Sequence, residues 1–209
     1  MSGRKNMKKS TAILLALGVM LVSGVASAME MPFTATITGQ ATGFISPGDV
    51  MNNGMVYVGT MDGVVPLFVN RCDYGFNWNP DADTCDGTRG GLAYQTTSVS
   101  TGATSASDGA ANTAILAARA DTPAAKYCAD LAPPNVNSHG YSDWYLPSTT
   151  ELAFVFTHYV AIGNFITATY YWTSTEYTSN YGYMTRIGTA ATYNAKSVGY
   201  YVRCLRKGN

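Results

Sequence analysis

The pattern of apolar and polar positions divides the chain into a β-rich first part, a helical middle and a β-rich end. Residues 33–38 alternate apolar and polar side chains, as a half-buried strand does. Residues 55–60 and 64–70 form two more short β-type runs around Asp62-Gly63, a dipeptide typical of hairpin turns. Segment 71–91 is rich in Asn, Asp, Gly and Pro, which predicts a long loop.

Two helices are predicted in the middle of the chain. The first covers roughly 112–131 and is interrupted where Thr122 can cap a new start and Pro123 can occupy its first turn. The second begins with a capping box between Ser148 and Glu151, followed by an apolar stripe at helical spacing. Together with the strands, two helices packed on antiparallel sheets make an α+β fold. The strands expected after them cover 170–176, 181–187, 192–197 and 199–205.

The first 28 residues have the organisation of a secretory signal peptide. Basic side chains precede an apolar run over 11–25, and Ala26-Ser27-Ala28 offers a cleavage site. An uncleaved N-terminal anchor is the alternative, although the run is short for a span of roughly 20 residues. We therefore expect a signal peptide over 1–28, an N-terminal β-arm of strand and loop over 29–54, and one ligand-binding domain over 55–209. No membrane span is expected in the mature chain.

Removing residues 1–28 changes the charge balance of the chain. The full sequence has 13 basic and 13 acidic residues, and four of the basic ones lie in this segment, so the rest has a net charge of −4. An acidic chain is not a general binder of nucleic acid. The last forty residues contain five basic side chains but only one acidic side chain, Glu176. This local excess of positive charge predicts either a patch for an acidic glycan or a solvated strand face. The basic residues are Arg186, Lys196, Arg203, Arg206 and Lys207.

Four cysteines in an exported chain indicate two disulfides. Three pairings are possible, and we favour Cys72–Cys85, which closes a turn-rich loop, with Cys128–Cys204, which ties a helix to the last strand. No two cysteines have the close spacing that zinc sites use. The oxidising compartment that disulfides need agrees with export, and places the protein outside a bacterial cytoplasm: secreted, periplasmic or on the cell surface.

Three motifs follow one another along the second half of the chain: Gly140-Tyr141-Ser142-Asp143-Trp144-Tyr145-Leu146-Pro147-Ser148, Tyr171-Trp172-Thr173-Ser174-Thr175-Glu176 and Tyr201-Val202-Arg203-Cys204-Leu205-Arg206. In this order they resemble the family named for the C-terminal domain of a collagen-like bacterial adhesin, and the similarity covers residues 55–207. It implies a C-type-lectin-like fold. The adhesin domain for which the family is named binds sulfated glycans as a trimer, and other relatives are targets of diversity-generating retroelements.

The resemblance also implies that residues changed by a retroelement lie between the second and third motifs, where Tyr, Asn, Ser and Asp accumulate. Eight of the 15 tyrosines lie between Tyr170 and Tyr201. Tyrosine offers a large rigid contact area and a hydroxyl, the chemistry of binding loops, whereas ordinary β-propensity is the structural explanation. We expect ligand contacts from Tyr177, Asn180, Tyr181, Tyr183, Arg186, Tyr193, Asn194 and Lys196.

Other candidate groups are weaker. Trp144 and Trp172 are expected in the core, and Asp143 and Glu176 are expected to anchor loops through backbone N–H groups. The turn-rich segment with Asp81, Asp83 and Asp86 could supply oxygen ligands to calcium, but an Asx-rich turn explains it better, and no cofactor is expected.

The sequence has none of the catalytic triad, zinc or phosphate-loop motifs, so we expect a binding protein and not an enzyme. Its ligand would be an extracellular glycan or protein. The alternative is a structural subunit of an extracellular polymer, in which the strand at 33–38 self-associates by completing a neighbour's sheet.

Overall fold

The computed structural model describes residues 45–208. The expected signal peptide and the strand at 33–38 therefore lie outside the described residues. The described part is mixed α+β, with small antiparallel sheets and four α-helices. Its elements are β1 Val56–Met61, β2 Val65–Val69, β3 Phe76–Asn79, β4 Thr84–Gly87, β5 Leu92–Ala93, α1 Gly109–Ala117, α2 Pro123–Ala129, α3 Thr149–Thr157, α4 Tyr159–Ile162, β6 Tyr171–Glu176, β7 Tyr181–Thr185, β8 Thr192–Ala195, β9 Gly199–Tyr200 and β10 Leu205–Lys207.

The first sheet joins the start of the domain to its end. Strands β1 and β2 form the predicted hairpin, and its turn has positive φ at Asp62 and Gly63, 61° and 71°. Strand β10 pairs antiparallel with the other edge of β2, with Leu205 opposite Val69. The remaining sheets are β3–β4, β5–β9 and β6–β7–β8.

The capping box at the start of α3 is confirmed. The Ser148 hydroxyl accepts a hydrogen bond from the Glu151 N–H, and the Glu151 carboxylate accepts one from the Ser148 N–H. The same carboxylate also accepts the N–H of Gly109 at 2.9 Å. A Cβ on Gly109 would lie 2.4 Å from that oxygen, so only glycine lets the start of α1 approach α3 this closely.

Three predicted features differ in the structure. The first helical region is interrupted before Pro123, as predicted, so that α1 and α2 are separate helices, but Thr122 does not cap α2, since its hydroxyl donates to the Leu116 carbonyl at 2.6 Å. The predicted loop 71–91 contains the β3–β4 hairpin. The predicted last strand divides into β9 and β10, since Arg203 and Cys204 between them have buried partners across the domain.

Both favoured disulfides are present, Cys72–Cys85 and Cys128–Cys204. The second lies in the larger of two apolar clusters, where Cys128 and Cys204 are fully buried. Trp144 and Trp172 belong to the same cluster at 2% and 0% exposure, so their predicted core position is confirmed.

The cations near the chain end form neither of the two predicted surfaces, because most of them are paired. Arg203 is 1% exposed and its Nε lies 2.5 Å from Asp73, whose side chain is fully buried. Arg206 forms two hydrogen bonds to Asp143, each at 2.8 Å. The expectation that Asp143 anchors a loop through backbone N–H groups is therefore wrong, since its partner is a guanidinium.

Asp73 connects four separate parts of the chain. One carboxylate oxygen accepts from Arg203, and the other accepts the Tyr171 hydroxyl at 3.0 Å and lies 2.6 Å from Arg89 Nε. Arg203 also donates to the carbonyls of Asn70, Arg71 and Asn164. A buried ion pair is tolerated only when its remaining donors and acceptors are satisfied in this way.

His139 fastens the start of the domain to the β3–β4 region. It is 6% exposed and has a left-handed backbone, with φ 51°. Its Nδ1 lies 2.7 Å from the Asn53 carbonyl, and its Nε2 accepts the Arg71 N–H at 3.3 Å. Only a neutral ring can accept a hydrogen bond at Nε2 while Nδ1–H donates to the carbonyl. Burial lowers the pKa of His139 to about 4, and the charge of Arg71 acts in the same direction.

Loss of the two disulfides should have unequal effects on stability. Replacing both Cys128 and Cys204 by Ser opens a closure of 76 residues, whereas the Cys72 and Cys85 pair closes only 13. Loop-closure entropy predicts losses of about 4 and about 3 kcal/mol respectively. Chemical denaturation of the two double variants measures this, and a larger loss for the Cys72 and Cys85 variant would contradict it.

The stability of the domain should fall between pH 6.5 and pH 4 because of His139. Its folded pKa lies below the unfolded value of about 6.5, so the unfolded chain takes up a proton first as the pH falls. The contribution of His139 to the free energy of unfolding is complete above pH 6.5 and about 3 kcal/mol smaller near pH 4. His139→Asn, which tolerates the left-handed backbone, should flatten the profile in urea denaturation; an unchanged slope would refute the assignment.

Candidate ligand-binding surface

The β6–β7–β8 sheet presents its outward side chains by simple alternation. In β7, Gly182 and Met184 are buried, while the alternate residues Tyr181 and Tyr183 point to the other face. Tyr193 of β8 lies directly opposite Tyr183 in the antiparallel register. The turn after β6 adds a fourth ring, Tyr177, which is 44% exposed.

These four rings contact one another, and we call them the tyrosine platform: Tyr177, Tyr181, Tyr183 and Tyr193. Tyr177 and Tyr193 are stacked, with centroids 4.2 Å apart and planes 21° from parallel. Tyr183 meets Tyr177 edge-on at 5.1 Å, and Tyr181 meets Tyr193 edge-on at 5.5 Å. Tyr181 and Tyr193 are 39% and 48% exposed, so the cluster lies at the surface.

The inward face of the same strands is closely packed. A Cβ on Gly182 would lie 2.9 Å from the Tyr94 ring and 3.2 Å from Trp172, so a larger residue has no room there. The Trp172 indole N–H donates to the Leu92 carbonyl at 2.8 Å, and the Tyr94 hydroxyl donates to Ser174 O at 3.0 Å. The platform therefore rests on a fixed aromatic layer.

A buried ion pair links the strands that support the platform. Lys196 and Glu176 have side chains 1% and 2% exposed, and Nζ lies 2.8 Å from Oε1. Lys196 also donates to Gln95 Oε1 and to the Val99 carbonyl. The expectation that Lys196 is an exposed contact residue is therefore wrong, because β8 ends at Ala195 and the next side chain turns into the core.

Glu176 anchors a loop, as predicted. Its Oε2 accepts the N–H groups of Thr101 and Gly102, each at 2.8 Å, and the Thr101 hydroxyl at 2.6 Å. Burial acts to raise the pKa of Glu176, but the bond from Lys196 and these donors outweigh it, so the pKa is lowered. The carboxylate is held in its charged form by partners from two separate segments, the loop at 100–102 and Lys196.

The remaining predicted contact residues are not all part of the platform. Asn180 is exposed in the turn beside Tyr181. The Asn194 amide donates to the Tyr200 hydroxyl at 2.7 Å, and Arg186 lies over the Tyr170 ring at 5.4 Å. Thus four of the eight predicted residues form the cluster, while Asn194 and Arg186 interact with neighbouring tyrosines.

The weak calcium candidates do not converge on a common point. Asp83 is paired with Arg71 at 2.8 Å, and Asp86 accepts hydrogen bonds from Asn79 and Thr84. Within residues 45–208, no group of three or more His, Cys, Asp or Glu side chains is arranged to hold a metal ion.

Sequence reasoning missed two supporting residues of this surface. Gly182 stands between two outward tyrosines in an alternating strand, a position that signals a close approach beneath the strand. Gln95 accepts from Lys196 and donates to Asp121 at 3.0 Å, but these partners are distant in sequence and no local pattern points to them.

No protein-family model matches this chain, and no curated protein matches it with significance. Across the described residues, none of the helices has the length and apolar character needed to cross a bilayer.

Removing the buried cation should destabilise the domain strongly. Lys196→Met leaves the Glu176 carboxylate buried without its cation, and breaking a buried pair in this way costs about 3–5 kcal/mol. The double variant Lys196→Met with Glu176→Gln should recover part of this loss, because the uncompensated charge is then gone. Thermal and urea unfolding measure both, and equal stability of wild type and Lys196→Met would refute this role.

Proposed function

We propose that the protein is an exported binding module that recognises an extracellular glycan or protein through the tyrosine platform. The observation that carries the proposal is the surface cluster of four rings, joined by three ring–ring contacts, on one face of the β6–β7–β8 sheet. Aromatic rings grouped at a surface leave apolar area in water, which a ligand can cover.

The chemistry of the platform favours recognition over catalysis. None of the four phenol hydroxyls has a hydrogen-bond partner among the described residues, so each can donate to or accept from a ligand. Neither histidine belongs to the cluster: His139 lies against Asn53, and His158 packs on Phe154. Tyrosine provides area and hydrogen bonds with few rotatable bonds, so little entropy is lost on binding.

The supporting layer favours tight binding without rearrangement. Strands β6, β7 and β8 are joined by a ladder, by the Lys196–Glu176 pair and by the Trp172 indole below. Rings held in place before the ligand arrives avoid part of the ordering cost of association.

Export and the lectin-like fold belong to the same proposal. Two disulfides and the signal-peptide pattern of residues 1–28 favour a bacterial protein that is secreted, periplasmic or on the cell surface. The α+β architecture, and the burial of Trp144, Trp172 and Cys204 from the three motifs, support the C-type-lectin-like fold that the family resemblance implies.

Truncating the platform should weaken binding strongly while the domain stays folded. Tyr181→Ala with Tyr193→Ala removes two exposed rings, and losing a central aromatic anchor often costs about 2 kcal/mol, roughly thirty-fold in Kd. Glycan and protein arrays probed with the wild-type chain identify the ligand, and titration compares the variants. Tyr193→Phe retains the stack and should bind nearly as well as wild type.

Two further measurements make this test decisive. Val64→Ala changes a side chain that is 79% exposed at the β1–β2 turn and should leave binding unchanged. Circular dichroism melts should show little loss of stability in the double tyrosine variant. Undiminished binding by a folded double variant would refute the platform as the binding surface.

A further inference from the structure

A second surface feature lies on the separate β3–β4 hairpin. It is a shallow groove, widely open to solvent, of about 510 Å³ between this hairpin and the short 3₁₀ helix Val136–Ser138. The two strands form a sheet of their own, distinct from the sheet that carries the tyrosine platform. Polar amides and one aromatic side chain dominate its walls, including Asn77, Trp78, Asn79, Asp86, Asn135 and Val136.

The walls of this groove are fixed from behind. The Cys72–Cys85 disulfide holds β4 to the preceding segment. The Asn137 amide clamps β3, since its oxygen accepts the Trp78 N–H at 2.8 Å and its nitrogen donates to the Phe76 carbonyl at 2.7 Å. A backbone held in this way lowers the ordering cost when a ligand binds.

Trp78 occupies an unusual position for a tryptophan in this protein. The other two tryptophans are 2% or less exposed, whereas Trp78 is half-buried and lines the groove. Its ring is supported from behind by Gly54, where a Cβ would lie 2.2 Å from the indole, and by the His139 ring at 4.9 Å. An indole supported in this way offers its remaining surface to a ligand.

The polar groups of the groove can bind hydroxyls. Asn77 is exposed, and its side-chain amide has no partner among the described residues, so it offers both a donor and an acceptor. Asn135 uses its oxygen to accept the Asn137 N–H, which leaves its NH₂ group for a ligand. Asp86 accepts one hydrogen bond at each oxygen, from Asn79 and Thr84, and each oxygen can accept another.

We propose that this groove binds a neutral saccharide, with the pyranose C–H face on the Trp78 indole and its hydroxyls bonded by Asn77, Asn135 and Asp86. An aromatic ring face carries partial negative charge and attracts polarised C–H groups. Amides and a carboxylate match the alternating donors and acceptors of vicinal hydroxyls. The site is independent of the tyrosine platform and goes beyond the function proposed for it.

The charges around the groove exclude acidic sugars. Asp86 is the only charged side chain in its lining, and hydrogen bonds from Asn79 and Thr84 lower the pKa of this carboxyl. Asp81 and Asp83 lie in the same hairpin, and Arg71 is already paired with Asp83. A sulfate or carboxylate on the ligand would therefore meet like charge without a free cation.

Nuclear magnetic resonance of the indole N–H groups tests this directly, because the chain has only three tryptophans. The full chain is titrated with the methyl pyranosides of glucose, galactose, mannose and N-acetylglucosamine, and with glucose 6-sulfate. Trp78→Phe identifies the Trp78 signal by its disappearance. We expect this signal alone to shift with at least one neutral glycoside, at millimolar affinity, and to stay in place with the sulfated sugar.

Variants separate this site from the platform. Asn77→Ala should weaken the neutral glycoside about five-fold, the effect of one lost hydrogen bond, without disturbing the hairpin. Tyr181→Ala with Tyr193→Ala should leave the Trp78 shift unchanged, even if it abolishes the platform's own binding. The proposal is wrong if no neutral glycoside moves the signal, if glucose 6-sulfate moves it equally, or if Asn77→Ala has no effect.

Discussion

The described domain depends on one buried carboxylate. Asp73 is fully buried, and its oxygens are shared by Arg203, Arg89 and the Tyr171 hydroxyl. An unpaired charge in that position would cost several kcal/mol, so the fold is stable only when all of these segments meet at once. Because Arg203 also donates to carbonyls near residues 70 and 164, the interaction determines how the last segment of the chain lies against the first sheet.

A second buried ion pair joins separate segments beneath the tyrosine platform. Lys196 and Glu176 bring together the ends of β6 and β8 and the loop containing Thr101. Each of these groups would be costly to bury alone, and together they satisfy nearly all of their hydrogen-bonding capacity. The support beneath the platform is thus fixed by polar groups whose hydrogen bonds are nearly all made, whereas the rings above it are held mainly by contacts with one another.

Local rules predicted much of this structure. The Asp62-Gly63 hairpin, the Ser148–Glu151 capping box and both disulfide pairings follow from neighbouring residues or from a small number of possibilities. The ion pairs were not predictable, since Arg203 and Asp73 are 130 residues apart. Basic residues clustered near the end of a chain are typical of a solvated surface and not of buried pairs. Strands β3 and β4 have a turn-like composition, and their pairing depends on the clamp from Asn137, which no local pattern indicates.

Strand β7 carries inward residues that are tightly packed and outward residues that are not. Its inward residues, among them Gly182, have no space to change, because Tyr94 and Trp172 lie directly against them. Its outward residues, Tyr181 and Tyr183, have neighbours mainly on the open side of the sheet. Substitutions on the outer face should therefore cost little folding free energy, so the surface chemistry and the stability of this strand can change independently, at different sites.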